Sequence, residues 1–367
     1  MVYDLALLGG GQLARMTLMA AQRMGLRCVS LDPGVDTPAS QVASAFIGHL
    51  NDPVAIAGVL RQSGAATLEN EFIPAQALAE GCRLAGFSPD RLVPGIECLA
   101  TIQDKLLQRE AYANAGVPTP KAVALNSVKE AEDAIGYPMV IKARFGGYDG
   151  KGTRWARTWE ELESHRPLWE GGGWLTEACV PFRRELAVMV ALDGRGNVET
   201  FPTMETRQTN HVCDLVLPCD TDAREIAIAA ARAVGERGLF GVELFETEDG
   251  AISVNEIAPR PHNTGHYTLD WGGSSQFEQH IRVALGLPLL KTEGGPQSMA
   301  NLLGQEKVGD PIAAILAATR QYPEAKFHWY GKREAKPGRK MGHVNAQTPD
   351  AALAAREAFY ATWTATA

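Results

Sequence analysis

The segment "YDLALLGGGQLARMTLMAAQRMGLRCVSLD", Tyr3 to Asp32, restricts the fold more than any other stretch of the chain. An apolar run enters Gly9-Gly10-Gly11; Leu13, Met16, Ala20 and Met24 then recur at helical spacing as far as Gly25, and a second apolar run follows. That is the pattern of strand, tight turn, helix and strand. A βαβ unit implies parallel strands covered by helices, so the N-terminal part is expected to be a layered α/β domain. Glycines at the turn expose N–H groups at a helix N-terminus, where aligned peptide dipoles favour an anion. Gly9, Gly11 and Ala14, with Asp32 closing the next strand, also fit a dinucleotide fingerprint. A nicotinamide oxidoreductase is therefore one reading; a site for another nucleotide's phosphate, or a turn that needs glycine only for steric room, are the others.

Size and charge narrow the class. A chain of 367 residues with 45% hydrophobic content is too long for one ordinary core and predicts two or three domains. The formal charge of −8 argues against a nucleic-acid binder while leaving room for local basic pockets. The first residues lack a basic export signal and no apolar run approaches the roughly 18 residues of a membrane span, so a cytoplasmic protein is expected. Six scattered cysteines without a C-x-x-C pair predict neither a zinc site nor a disulfide framework.

Further along, "AATLENEF" reads as a strand end with Glu69 and Glu71 on one face, and "IQDKLLQREAYANAG" as a helix ending at Gly116. A boundary near residue 100 follows. Residues 117–180 read as a small α/β unit: "AVAL", helix "SVKEAEDAIG", strand "PMVIKAR", a glycine loop, "TRWAR", a helix near "EELESH", then "WLTEACV". Beyond it strands dominate, with hairpins at "DGRGN" and within "GVELFETEDGAISVNEIAPR", an amphipathic helix between them, and an antiparallel tail closing on an alanine-rich helix. The expected division is residues 1–102, 103–180 and 181–367, the last with a small antiparallel tail from about 295.

Two segments carry chemistry. A two-residue turn at Asp249-Gly250 would place Glu243 directly opposite Glu256. At about 5 Å and an effective dielectric of about 20 the two would repel by about 3 kcal/mol. A divalent cation that also meets nucleotide phosphates would compensate, with Asn255 as a further oxygen donor; a solvated face is the alternative. In "VIKARFGGYDGKG", Val140, Lys142 and Arg144 share a face, and a lysine on a buried strand needs an anion. The loop after it offers backbone N–H groups to phosphate, although it is no Walker A sequence.

Together "GGGQLARM", "TLENEF", "VIKARFGGYDGKG", "TEACVPFRRELAV", "VNEIAPRPHNTGHYT", "SQFEQHIRVALGLPL" and "PGRKMGHVN" resemble, in order, the ATP-grasp superfamily and within it the N5-carboxyaminoimidazole ribonucleotide synthetases of purine biosynthesis. The resemblance implies an N-terminal parallel-sheet domain, a small central lid domain and a larger, mostly antiparallel C-terminal domain, with ATP between the last two. It implies that Lys105 and Lys142 contact the ATP phosphates and that Gly147, Tyr148, Asp149, Gly150, Lys151, Gly152 and Thr153 cover them. Glu177, Ala178, Cys179 and Val180 would form the adenine hinge, Glu185 would take the ribose, and Gln208 would stand near the nucleotide. Mg²⁺, or Mn²⁺ in its place, would lie on Glu243 and Glu256 beside Asn255.

For the ribonucleotide the resemblance points to Gly11, Gln12, Leu13, Glu69, Asn263 and Arg339, and for catalysis to Tyr148, Asp149, Lys151, Arg260, His262 and Lys340. The implied reaction joins bicarbonate to 5-aminoimidazole ribonucleotide at the expense of ATP, through carboxyphosphate and CO₂, in a homodimer without nucleic-acid or membrane partners. Ala14, Lys151 and Gln208 depart from the pattern, which has glycine, arginine and histidine there; His211 is close to the last but out of register. Another ATP-grasp carboxylate-amine ligase is the related alternative, and the oxidoreductase the unrelated one.

Overall fold

The computed structural model describes residues 2–147 and 152–365. Tyr148, Asp149, Gly150 and Lys151, named above from the sequence, lie outside the described residues.

The N-terminal sheet is parallel throughout, with β1 (Tyr3–Leu8), β2 (Cys28–Asp32), β3 (Ser44–Ile47), β4 (Ser63–Leu68) and β5 (Leu92–Val93) in the order β3-β2-β1-β4-β5. Helices α1 (Gln12–Arg23), α2 (Pro53–Leu60), α3 (Ala75–Ala85) and α4 (Ile96–Gln103) connect and cover it. Leu5 to Leu8 are all buried, because helices on both faces bury both sides of a central parallel strand. The chain runs outward from β1 in opposite directions on its two sides, so the ends of β1 and β4 open a crevice between them. Gly9–Gly11 and Glu69 occupy that crevice; β4 ends at Leu68, so Glu69 and Glu71 stand in the loop beyond it.

Helix α5 (Lys105–Asn114) leads into a four-stranded antiparallel sheet of β6 (Ala122–Ala124), β7 (Met139–Ala143), β8 (Thr153–Ala156) and β9 (Trp174–Ala178), ordered β6-β9-β7-β8. Helices α6 (Val128–Ala134), α7 (Trp159–Ser164) and α8 (Arg166–Trp169) cover one face. Ser127 and Thr158 start α6 and α7 by accepting from the amides of Glu130 and Glu161, the S/T-x-x-E signature of a helix N-terminus. Met139 and Ile141 point into this small core with Leu162 and Trp169, so the two-residue period turns Val140 and Lys142 to the other face.

The remaining strands build one sheet: β10 (Phe182–Asp193), β11 (Val198–Thr200), β12 (Met204–Thr209), β13 (Val212–Pro218), β14 (Arg237–Thr247), β15 (Ile252–Ala258), β16 (Ser298–Leu303), β17 (Lys326–Trp329) and β18 (Lys340–Ala346). The order is β15-β14-β10-β12-β13-β16-β18-β17, with β11 on β10. Helices α9 (Arg224–Val234), α10 (Gln276–Leu285), α11 (Pro311–Gln321) and α12 (Pro349–Trp363) pack around it. The strands after residue 295 thus extend the large sheet while carrying their own core of Leu302, Met341, Phe359 and Trp363.

The β14–β15 hairpin corrects the expected turn. Thr247 pairs with Ala251, so Glu248, Asp249 and Gly250 form a three-residue loop, with Gly250 at φ 83° supplying the left-handed residue that such loops need. Glu243 nevertheless lies opposite Glu256, as expected from the sequence, because the register shifts by one between Glu243 and Leu244. Asn255 is the extra residue on β15, a bulge that offsets the longer turn.

Candidate active site

All three sheets contribute walls to one cleft of about 1220 Å³. The N-terminal wall starts at the glycine turn. Gly10 donates to Asp32 Oδ2 at 2.9 Å and Gly34 to Oδ1 at 2.8 Å, so both oxygens of Asp32 are engaged inside the turn. Gly11 has an ordinary φ of −77°, yet a Cβ there would lie 2.1 Å from Glu69 Oε1, so any side chain at this position would have to displace the carboxylate. Burial raises the Glu69 carboxyl, while the Gly11 amide and Arg260 oppose the rise. The dinucleotide reading fails here. Asp32 is committed to amides rather than free for a ribose, and the Glu69 carboxylate stands against Gly11 at the turn. Gln12 and Leu13 line the same wall.

Opposite stands a lattice of charges. Lys105, at the start of α5, lies 2.5 Å from Glu256. Lys142 pairs with Glu177 Oε1 and approaches Asn255 Oδ1 at 3.4 Å. Arg109 holds the second oxygen of Glu177 at 2.8 Å. Arg144, just past β7, grips Asp104 at 2.9 and 2.5 Å, and Asp104 also accepts from Leu106 at the start of α5. The stem of the glycine loop is thereby tied to α5.

Burial and the facing Glu256, with Glu185 beyond, push the Glu243 carboxyl up to about 8. Burial acts on Glu256 in the same direction, but Lys105 and Lys142 outweigh it and take the carboxyl down to about 2. The opposed directions mark two facing carboxylates whose negative charges oppose each other. Two hard carboxylates set against each other, with the Asn255 carbonyl alongside, form a donor set that suits a divalent cation, because added positive charge relieves their repulsion. Among the described residues no cluster of three or more acidic, His or Cys side chains encloses a metal, so such an ion would need further oxygen ligands from a bound nucleotide.

The third wall follows β15. Arg260 donates to Glu71 from Nε at 2.6 Å and from Nη2 at 2.7 Å. His262 is pinned through its backbone: its N–H donates to Gln276 Oε1 and its carbonyl accepts from Gln276 Nε2, both at 2.8 Å. Its ring meets Thr264 Oγ1 at 2.9 Å and lies 3.6 Å from Glu243, and burial, aided by Arg260 and Lys340, lowers it to about 3, so it is neutral. Gly241 makes room, since a Cβ there would be 2.5 Å from that of His262. Asn263 is buried at the cleft edge and Lys340, opening β18, lines it.

Of the residues named from the sequence, Lys105, Lys142, Gly147, Gly152, Thr153, Glu177, Ala178, Val180, Glu185, Gln208, Glu243, Asn255, Glu256, Arg260, His262, Asn263 and Lys340 line the cleft, as do Gln12, Leu13 and Glu69. Gly11, Cys179 and Arg339 are not among its described lining; Gly11 lies behind Glu69, and Arg339 is exposed and donates to the Glu334 carbonyl. His211, set aside as out of register, lines the same wall as Gln208. It forms with Asn210 a two-residue turn in which both have positive φ, 51° and 64°, and that turn sets both residues on the cleft wall. Arg109, the role of Glu71, and the stacked Phe182–Phe245 pair at the mouth, with ring centroids 4.5 Å apart, were missed. Arg109 had one signal in the sequence: it follows Lys105 by one helical turn.

Comparisons with known proteins agree along the chain. Residues 2–103 match the ribonucleotide synthetase preATP-grasp domain, 110–277 the ATP-grasp domain, and 298–357 the phosphoribosylaminoimidazole carboxylase C-terminal domain. An N5-carboxyaminoimidazole ribonucleotide synthase of Synechococcus elongatus is 38% identical over 356 residues, which cover 94% of this chain and 89% of that one. The crystal structure of N5-carboxyaminoimidazole synthetase from Staphylococcus aureus complexed with ADP is similar with a TM-score of 0.87 and 30% identity, over 98% of this chain and 96% of that one. The Aspergillus clavatus enzyme in complex with ADP and 5-aminoimidazole ribonucleotide gives 0.86 and 29%, over 98% of both chains.

Proposed function

The chain belongs to the N5-carboxyaminoimidazole ribonucleotide synthase family of ATP-grasp ligases, and on that footing we propose how its own residues carry the reaction. ATP, bicarbonate and 5-aminoimidazole ribonucleotide enter; N5-carboxyaminoimidazole ribonucleotide, ADP and phosphate leave. The observation that carries the reading is the Glu243–Glu256 pair facing Lys105 and Lys142 across one cleft, with Glu69 and Arg260 on the opposite side.

Bicarbonate is a poor electrophile until one of its oxygens is phosphorylated. In the first step that oxygen attacks the γ-phosphorus of ATP, the bond to the bridging oxygen breaks, and ADP leaves with the electron pair. Lys105 and Lys142, on the cleft wall, place ammonium groups beside the phosphates, where fixed cations stabilise charge on the moving phosphoryl group. Mg²⁺ held by Glu243, Glu256 and Asn255 would supply further neutralisation of the phosphate oxygens. Adenine pairs with the backbone of Glu177–Val180, near the Phe182–Phe245 stack, and Glu185 takes the ribose.

Carboxyphosphate then splits into CO₂ and phosphate. Arg260 and neutral His262 are placed to hold its anionic oxygens, Arg260 by charge and His262 by a ring N–H. The exocyclic amine attacks the carbon of CO₂ and loses a proton to phosphate or to Asp149. Glu69, Gln12, Leu13 and Asn263 contact the ribonucleotide, and Lys340 supplies a cation near its carboxylated end. The roles of Tyr148, Asp149 and Lys151 as a cover over both intermediates rest on the sequence.

In this reading residues 1–102 hold the ribonucleotide, 103–180 cover ATP and 181–367 carry the metal ligands. No helix among the described residues is long and apolar enough to cross a membrane. A cytoplasmic homodimer follows from the resemblance, and sedimentation of the purified protein tests the assembly. The reaction is tested by phosphate release with each substrate omitted in turn: release that requires both bicarbonate and the ribonucleotide supports it, and release indifferent to either refutes it.

A further inference from the structure

Arg109 is a buried cation to which the reaction above assigns no task. It follows Lys105 by one turn of α5, a spacing that sets both on one face, and is 5% exposed. Its Nε and Nη2 donate to Glu177 Oε2 at 3.1 and 2.8 Å, while the Lys142 ammonium lies on the other oxygen, Oε1. Lys142 and Glu177 line the cleft, and Arg109, which is not among its described lining, makes its hydrogen bonds to Glu177. The two oxygens of one carboxylate are thus divided between a cation that faces the cleft and a cation behind it.

That division matters once an anion enters. Glu177 is almost wholly buried, and a buried carboxylate stripped of its only countercharge is strongly unfavourable, so alone with Lys142 it would hold the ammonium against any competing phosphate. We propose that Glu177 parks Lys142 in the nucleotide-free enzyme, and that Arg109 is the positioning residue that lets Lys142 leave: it stays on Oε2 and keeps Glu177 neutralised and in place while the ammonium turns to a phosphate. The inference rests on the reading of Lys142 as a phosphate-binding cation. Because β9 continues from Glu177 into Ala178, an anchored Glu177 also steadies the backbone beside the base.

The test is the affinity for ATP with Mg²⁺, measured by calorimetric titration of the wild type, K142M, R109M, R109K and the double variant R109M/E177Q. Loss of Arg109 is expected to raise Kd roughly tenfold, the scale of one charge-assisted hydrogen bond. R109K should bind within about threefold of wild type, since it keeps the charge with fewer donors. The double variant should bind more tightly than R109M, because no unpaired carboxylate then competes for Lys142; a merely structural role for Arg109 gives no such rescue. R109Q takes the place of R109M if the latter does not fold. Unchanged affinity in K142M overturns the phosphate reading of Lys142 and this inference with it. Weakened K142M with unaffected R109M, or a double variant no better than R109M, overturns the inference alone.

Discussion

Glu71 and Arg260 are joined by two hydrogen bonds, at 2.6 and 2.7 Å, between the loop after β4 of the N-terminal sheet and the chain just past β15 of the large sheet. The pair closes the cleft at the junction of two domains and fixes the plane of the guanidinium. Both side chains are mostly buried, at 20% and 14% exposure, so solvent does little to soften the loss of either partner. Glu71→Gln should lower kcat/KM for the ribonucleotide roughly thirtyfold, corresponding to about 2 kcal/mol. The KM for ATP should stay within about twofold, and Glu71→Asp should recover part of the loss. Steady-state kinetics with each substrate varied check this; an equal loss toward ATP and the ribonucleotide would point to general disruption.

Glu243 and Glu256 stand opposed because the site needs them, at a cost to the ligand-free fold. Glu243→Gln removes the like-charge conflict and keeps the shape, so the Tm without ligands should be equal to or above that of the wild type. Mg²⁺-dependent phosphate release should fall by about a hundredfold or more, the scale of a lost transition-state electrostatic contact. Thermal melts and phosphate assays on the same preparation separate the two effects.

Removal of divalent cations should act like that substitution, but reversibly. Excess chelator is expected to abolish ATP-dependent phosphate release, and added Mg²⁺ to restore it, with Mn²⁺ as a partial substitute. Release that persists in chelator would remove the metal from the site.

The Glu69 carboxylate packs directly against Gly11. Gly11→Ala should destabilise the protein by about 2 kcal/mol, the usual scale of overpacking, and should raise the KM for the ribonucleotide. In a Glu69→Ala background the same change should be nearly neutral in stability, since the atom it would strike is gone. A double-mutant cycle in denaturant gives the coupling directly.

Tyr148→Ala and Asp149→Ala should raise phosphate released per product formed, since an uncovered carboxyphosphate meets water. Unchanged stoichiometry in both variants would exclude these residues from that role.

Much of the architecture was legible in the sequence because its signals are local. The two-residue period of "VIKAR" turned Lys142 away from Ile141 and toward the cleft, and the three-and-four spacing after Gly11 marked α1, whatever the rest of the chain did. Even the facing of Glu243 and Glu256 was readable, although through two departures that offset one another, a longer turn and a bulge at Asn255. Periodicity gives the face on which a side chain lies, not the residue it meets.

Those meetings were decided by the docking of the three sheets. Arg260 finds Glu71 from 189 residues away, through a contact that exists only once the N-terminal and large sheets are packed together, and Arg109 finds Glu177 from 68 residues away, through the packing of α5 against β9. Asp32 belonged to a dinucleotide fingerprint in the sequence and to the amides of Gly10 and Gly34 in the fold, because a carboxylate near unsatisfied N–H groups bonds to whichever the backbone brings within reach. The sequence by itself determined which side chains carry charge and which face of each element they occupy. Only the tertiary structure decided which charges neutralise one another, because Coulomb pairing depends on distances between elements that no local pattern encodes.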